Sequence, residues 1–103
     1  MLHMTWATPH IEKLAVGKTV KFRPSGHSMT GIVNHRQLVT VAPITDETVI
    51  SKGSVVLCKV PGKDYLHLVK AVGSDGRYQI SNARGKINGW TRHVFGIVTN
   101  VEE

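Results

Sequence analysis

Ser25-Gly26-His27-Ser28-Met29 sets a hydroxyl between a flexible glycine and an apolar side chain. Gly26 lets the backbone turn tightly, and Met29 can anchor the turn in a core. Ser28 Oγ is then presented outward with main-chain N–H groups beside it. An exposed hydroxyl with donors for an oxyanion is the equipment of a serine nucleophile. The same five residues also describe a solvated turn, so a base has to be found elsewhere. His67 lies in Tyr65-Leu66-His67-Leu68-Val69-Lys70-Ala71-Val72, a largely apolar run. Strand alternation groups His67 with Tyr65, Val69 and Ala71, and sends Lys70 to the other side with Leu66 and Leu68. An imidazole in a half-buried strand has restricted motion and few waters, which suits a general base working near neutral pH. Alone, such a histidine is usually a satisfied core residue; a partner at Ser28 gives it chemistry.

A second set of candidates lies in Asn82-Ala83-Arg84-Gly85-Lys86-Ile87-Asn88-Gly89-Trp90, followed by Arg92. Amides, cations and an indole in a glycine-containing loop can build the wall of a groove or hold an anionic ligand. The plainer reading is an exposed connection with Trp90 anchored in the core. Metal chemistry is not expected. His3, His10, His27, His35, His67 and His93 show no paired ligand spacing, and the single Cys58 adds none. No cofactor is implied.

The elements that must position these groups follow from pattern. Thr8-Pro9 before an amphipathic stretch, with Gly17 after it, predicts a short helix with Thr8 as N-cap and Pro9 as first helical residue. From there the period changes to two. Strands are expected over 18–23, 37–42, 54–60, 65–72, 78–80 and 93–101, with hairpin turns at Pro61-Gly62 and Ser74-Asp75-Gly76. The sum is a mainly β domain of six or seven short strands with one or two short helices. Coiled antiparallel sheets or a partly open barrel is the expected architecture. The 103 residues make one domain, an arm over 1–17 and a β core over 18–103.

Thirteen Lys and Arg against seven Asp and Glu give a net charge of +6. That balance makes an anionic partner, nucleic acid included, a candidate. The charges are scattered singly, and no helix-turn-helix, zinc-knuckle or base-stacking pattern accompanies them. No apolar run approaches the roughly 18 residues of a membrane span, and 1–10 lacks the pattern of a secretory signal. With one unpaired cysteine in an apolar strand, a reduced, cytoplasmic protein is expected.

Arg23-Pro24-Ser25-Gly26-His27-Ser28-Met29 resembles the nucleophile segment of the LexA and signal-peptidase superfamily of serine peptidases. Gly53 to Val60 resembles the strand that precedes the base in that superfamily, and Tyr65 to Val69 the strand that carries it. Phe95-Gly96-Ile97-Val98 is similar to the closing glycine-containing strand. The resemblance spans about residues 20–101. It implies Ser28 as nucleophile and His67 as base, as in members that use histidine. The N–H groups near His27 and Ser28, with the Ser25 hydroxyl, would form the oxyanion hole. Lys70-Ala71-Val72-Gly73 also resembles the segment of lysine-using members, so Lys70 is the rival base. Asn88 falls where histidine-using members carry an orienting aspartate, and Asn82 lies in the same segment.

What the resemblance implies is a serine endopeptidase acting in trans on a peptide or protein. Neither Ala-Gly nor Cys-Gly, the usual self-cleavage dipeptides of the LexA-like repressors, occurs in the chain. The other expectation is a peptidase-like fold without turnover, whose groove and Arg84, Lys86, Trp90 and Arg92 region bind a protein, nucleotide or nucleic acid.

Overall fold

A computed structural model of the chain describes residues 4–103, so His3 lies outside the described residues. One helix, α1 (Thr8–Ala15), precedes seven strands: β1 (Val20–Phe22), β2 (Leu38–Pro43), β3 (Val55–Val60), β4 (Lys63–Val72), β5 (Tyr78–Ser81), β6 (Ile87–Thr91) and β7 (Val94–Glu102). They form one antiparallel sheet in the order β1-β2-β7-β3-β4-β5-β6, and the sheet is not closed into a barrel. The last strand is therefore inserted at the centre, between β2 and β3, where it ties the two halves of the sheet together.

β3 reads as a continuous apolar run because both of its faces are covered, which removes the polar alternation of a half-solvated strand. Val55 and Leu57 join Val39, Val41, Leu66, Leu14, Met29 and Val33 on one side. Val56, Cys58 and Val60 join Val69 and Ile80 on the other. α1 and the loop after β1 cover the first side. The sheet covers the second by coiling on itself, assisted by register shifts in the β4–β5 and β5–β6 pairs. β6 thereby returns to β3, where Thr91 Oγ1 donates to the Lys59 carbonyl at 2.6 Å. The buried Cys58 thiol is raised to about 12, first by desolvation and then by Asp64, so it stays a protonated packing group.

The predicted helix is present but shifted at its start. Ala7 is the cap residue, Thr8 is already helical, and the Thr8 hydroxyl instead accepts the Thr5 N–H at 2.9 Å. At the other end Gly17 takes φ 85°. There the Gly17 and Lys18 N–H groups bond the Leu14 and Lys13 carbonyls at 3.0 Å each, a Schellman closure. No second helix occurs among the described residues. The larger correction concerns residues 87–91, read above as part of a loop. They are edge strand β6, and Trp90 is 39% exposed rather than anchored in the core. Gly89, with φ 140°, breaks the β-branched and aromatic signal that would have marked a strand.

Gly96 on β7 is packed against both β2 and the Leu14 side chain of α1. A Cβ built there lies 2.6 Å from Val41 Cγ1 and 3.0 Å from both Leu14 Cδ1 and the Ala42 oxygen. Gly96→Ala is expected to destabilise the fold by about 1–3 kcal/mol through overpacking. Urea or thermal unfolding reads this as a midpoint several degrees lower; an unchanged midpoint would show that α1 does not pack against Gly96 in solution.

Candidate active site

Ser28 sits in the long loop between β1 and β2, and that loop is held by its own hydrogen bonds. The Arg36 N–H reaches the Pro24 carbonyl at 2.8 Å, and Arg23 Nη1 donates to the Arg36 carbonyl at 2.8 Å, closing the base. Inside, the Ile32 and Val33 N–H groups both bond the Met29 carbonyl, and Asn34 Oδ1 accepts the Gly31 N–H. Met29 is 5% exposed and packs in the core with Val33. Gly26 adopts φ 107°, a region that side chains disfavour, and so allows the turn that exposes Ser28. From outside the loop, the Ala83 N–H donates to the Ser28 carbonyl at 2.9 Å.

Ser28 Oγ lies 3.0 Å from His67 Nε2. His67, on β4, is 6% exposed, and its ring lies 4.6 Å from that of Tyr65. Its other nitrogen, Nδ1, is 2.8 Å from Asn88 Oδ1 on β6. An amide oxygen only accepts, so Nδ1 carries the proton and Nε2 presents its lone pair to the Ser28 hydroxyl. This is the tautomer needed to take a proton from serine. Burial lowers the His67 pKa, and the Asn88 bond opposes that shift in part. The imidazole is therefore neutral at pH 7, ready to act as a base. Asn88 can orient the ring, but being uncharged it cannot stabilise an imidazolium as a carboxylate would.

The other sequence candidates are distributed around this line. His27 and Ser28 carry main-chain N–H groups with no hydrogen-bond partner among the described residues. Ser25 lines the cleft in front of them. Asn82 does not orient His67; its Oδ1 accepts the Arg84 and Lys86 N–H groups at 3.0 and 2.9 Å, shaping the turn that offers the Ala83 N–H to Ser28. Lys70 is exposed in the β4–β5 bulge and donates to the Gly85 carbonyl at 3.4 Å. Arg92 and Trp90 line a separate cleft with Lys59, Arg77 and His93, of which Arg84 and Lys86 are not part. Among the described residues no group of three or more His, Cys, Asp or Glu is placed to hold a metal ion.

Two features had no sequence signal. His35 Nδ1 accepts the Gly26 N–H at 2.8 Å and so braces the nucleophile turn. The edge of β4 is also open beside the pair. β4 pairs with β3 along Lys63–Leu68, but with β5 only from Leu68 onward. Val69 gives both main-chain groups toward β3's side, to Ser54 and Gly53 at 2.8 and 2.9 Å. Alternation then turns the N–H and C=O of Leu66 and Asp64 to the free edge, which borders a cleft of about 440 Å³ leading to Ser28.

No known protein family matches this chain, and no curated protein shows significant sequence similarity to it. Among the described residues no helix is long and apolar enough to cross a membrane.

Proposed function

We propose that the chain is a serine endopeptidase that hydrolyses extended peptide segments in trans, built on a LexA- and signal-peptidase-like version of the β fold. The observation that carries this reading is the continuous line Ser28 Oγ, His67 Nε2, His67 Nδ1, Asn88 Oδ1, with links of 3.0 and 2.8 Å. Neighbouring residues give it a substrate path. A peptide pairing with the Leu66 and Asp64 main chain as an added strand lies along the cleft, its carbonyl at Ser28. Ser28 Oγ bonds to the carbonyl carbon while its proton passes to His67 Nε2. The oxyanion is received by the His27 and Ser28 N–H groups. Collapse breaks the C–N bond and the amine leaves with the proton from His67. Water, deprotonated by the same nitrogen, then releases the acyl group. The proposed setting is the cytoplasm, where Cys58 remains reduced.

The neutral Asn88 favours a second reading, a groove that binds without turnover. In that case the cleft of Lys59, Arg77, Trp90, Arg92 and His93 would hold an anionic ligand such as a nucleotide or nucleic acid. The readings separate on one reagent. A fluorophosphonate probe is expected to add to Ser28, located by peptide mass mapping, and to leave Ser28→Ala unmodified. A wild-type protein that resists the probe, with ligand binding unchanged in Ser28→Ala, would select the binding module.

A further inference from the structure

The cleft continues past the catalytic pair to a wall that the chemistry at Ser28 does not use. That wall is aromatic. The Phe22 ring stacks on His10 at 4.2 Å and 20°, and meets Trp6 at 5.9 Å and 54°. Burial, then Lys13, lowers the His10 pKa, so at neutral pH this ring is an uncharged stacking partner. Buried Met29, Val33 and Leu66 form the apolar floor. Trp6 is 50% exposed, a large indole left open to water at the mouth of an apolar cleft.

Trp6 is also fixed relative to β4. The Thr5 hydroxyl donates to Asp64 Oδ2, and the Ala7 N–H donates back to Thr5 Oγ1 at 3.2 Å. Thr5, the residue before Trp6, is thus tied to Asp64, and Trp6 and Asp64 line the same cleft; the Asp64 carboxylate is buried and faces Lys59 at 3.3 Å. Asp64 precedes His67 by three strand positions, about 10 Å at the rise of an extended chain. A substrate strand lying on the free β4 edge therefore brings its third residue from the scissile bond abreast of Trp6. Polar side chains gain nothing there. A bulky apolar one removes its own surface and that of Trp6 and Phe22 from water.

We propose that Trp6, His10 and Phe22 form a specificity subsite for a large apolar or aromatic side chain, three residues from the bond cleaved. The inference rests on the peptidase reading of Ser28, and the test separates the two. Internally quenched peptides carrying Phe, Leu, Ala or Asp in turn at each of four positions on either side of one bond are compared by kcat/KM. Phe or Leu at the third position is expected to exceed Ala by about tenfold. In Trp6→Ala that ratio is expected to fall toward one; as a ratio, it is independent of the folded fraction. Equal cleavage of all peptides, or a preference that persists in Trp6→Ala, would overturn the subsite while leaving Ser28 as nucleophile. If the probe does not label Ser28 and no peptide is cut, the peptidase reading is lost. The subsite is then read in Trp90→Phe, where Trp6 is the one remaining tryptophan. Quenching by the Phe peptide but not the Ala peptide would support it, and no response to either would overturn it.

Discussion

His67→Ala is expected to slow capture of Ser28 by a fluorophosphonate on the order of 10²- to 10⁴-fold, the range lost when a positioned general base is removed. The effect should be large because, among the described residues, the one side chain hydrogen-bonded to Ser28 Oγ is His67, through Nε2 at 3.0 Å. The fold should survive the change. His67 is buried beside Tyr65 and lines the cleft, but it belongs to neither apolar cluster, and the core contacts of β4 are made by Leu66 and Val69. Truncation leaves the Asn88 amide facing the cleft, where water can meet it. Far-UV circular dichroism and the unfolding midpoint would check that labelling is lost through chemistry. Labelling at the wild-type rate in His67→Ala would remove the base assignment and return Lys70 as the candidate. Lys70→Ala would then be the variant that loses reactivity.

Much of the fold is legible in the sequence because its strands are short and bounded by strong turn residues. Pro61-Gly62 and Ser74-Asp75-Gly76 set the β3–β4 and β4–β5 hairpins, and the long apolar strands follow from β-branched runs. β6 escaped because Ile87-Asn88-Gly89-Trp90-Thr91 offers little alternation to read. Its pairing is specified by coiling of the sheet over β3, a tertiary effect. The site divides in the same way. Ser28 and His67 are recognisable as types, and β4 alternation separates His67 from Leu66 and Leu68. Local pattern, however, puts Lys70 on one face with Leu66 and Leu68, whereas the register shift after Val69 interrupts that alternation and Lys70 is exposed. Asn82 and Asn88 share one segment; only the family resemblance set Asn88 apart, and their difference becomes physical in space. One closes a turn through Arg84 and Lys86, and the other reaches His67. Arg23 looks like a free surface cation, but its guanidinium closes the nucleophile loop on the Arg36 carbonyl. The aromatic wall had a faint signal, since Trp6 and His10 are four residues apart, but Phe22 joins them through β1, which no helical spacing predicts.

Asn88→Asp is expected to move the acid limb of the pH–rate profile upward by about one unit or more, the shift that a carboxylate in contact with an imidazole produces. In the wild type, burial sets the His67 pKa below its ordinary value of 6.5. Activity therefore persists as pH falls through 6.5 and is lost only at the lower pKa of the folded state. The unfolded chain protonates first, so His67 lowers stability as pH drops below 6.5, and this penalty is absent above it. An aspartate at 88 reverses the sign. The folded-state pKa rises, and once it exceeds 6.5 the pair contributes stability that is present below 6.5 and lost as pH climbs through the new pKa. The same charge stabilises the imidazolium that forms as Ser28 attacks, so the rate on the alkaline plateau should rise by roughly tenfold, since one pKa unit corresponds to about 1.4 kcal/mol. Asn88→Ala should act in the opposite direction. The Nδ1 proton loses its acceptor, the ring is free to rotate or change tautomer, and labelling of Ser28 should fall by about tenfold to a hundredfold, the cost of an unpaired buried donor. Labelling rates from pH 5 to 9 for the three proteins give both the limb and the plateau. If the limbs of wild type and Asn88→Asp coincide, Asn88 does not contact His67 in solution, and the ring would have to be oriented by another group.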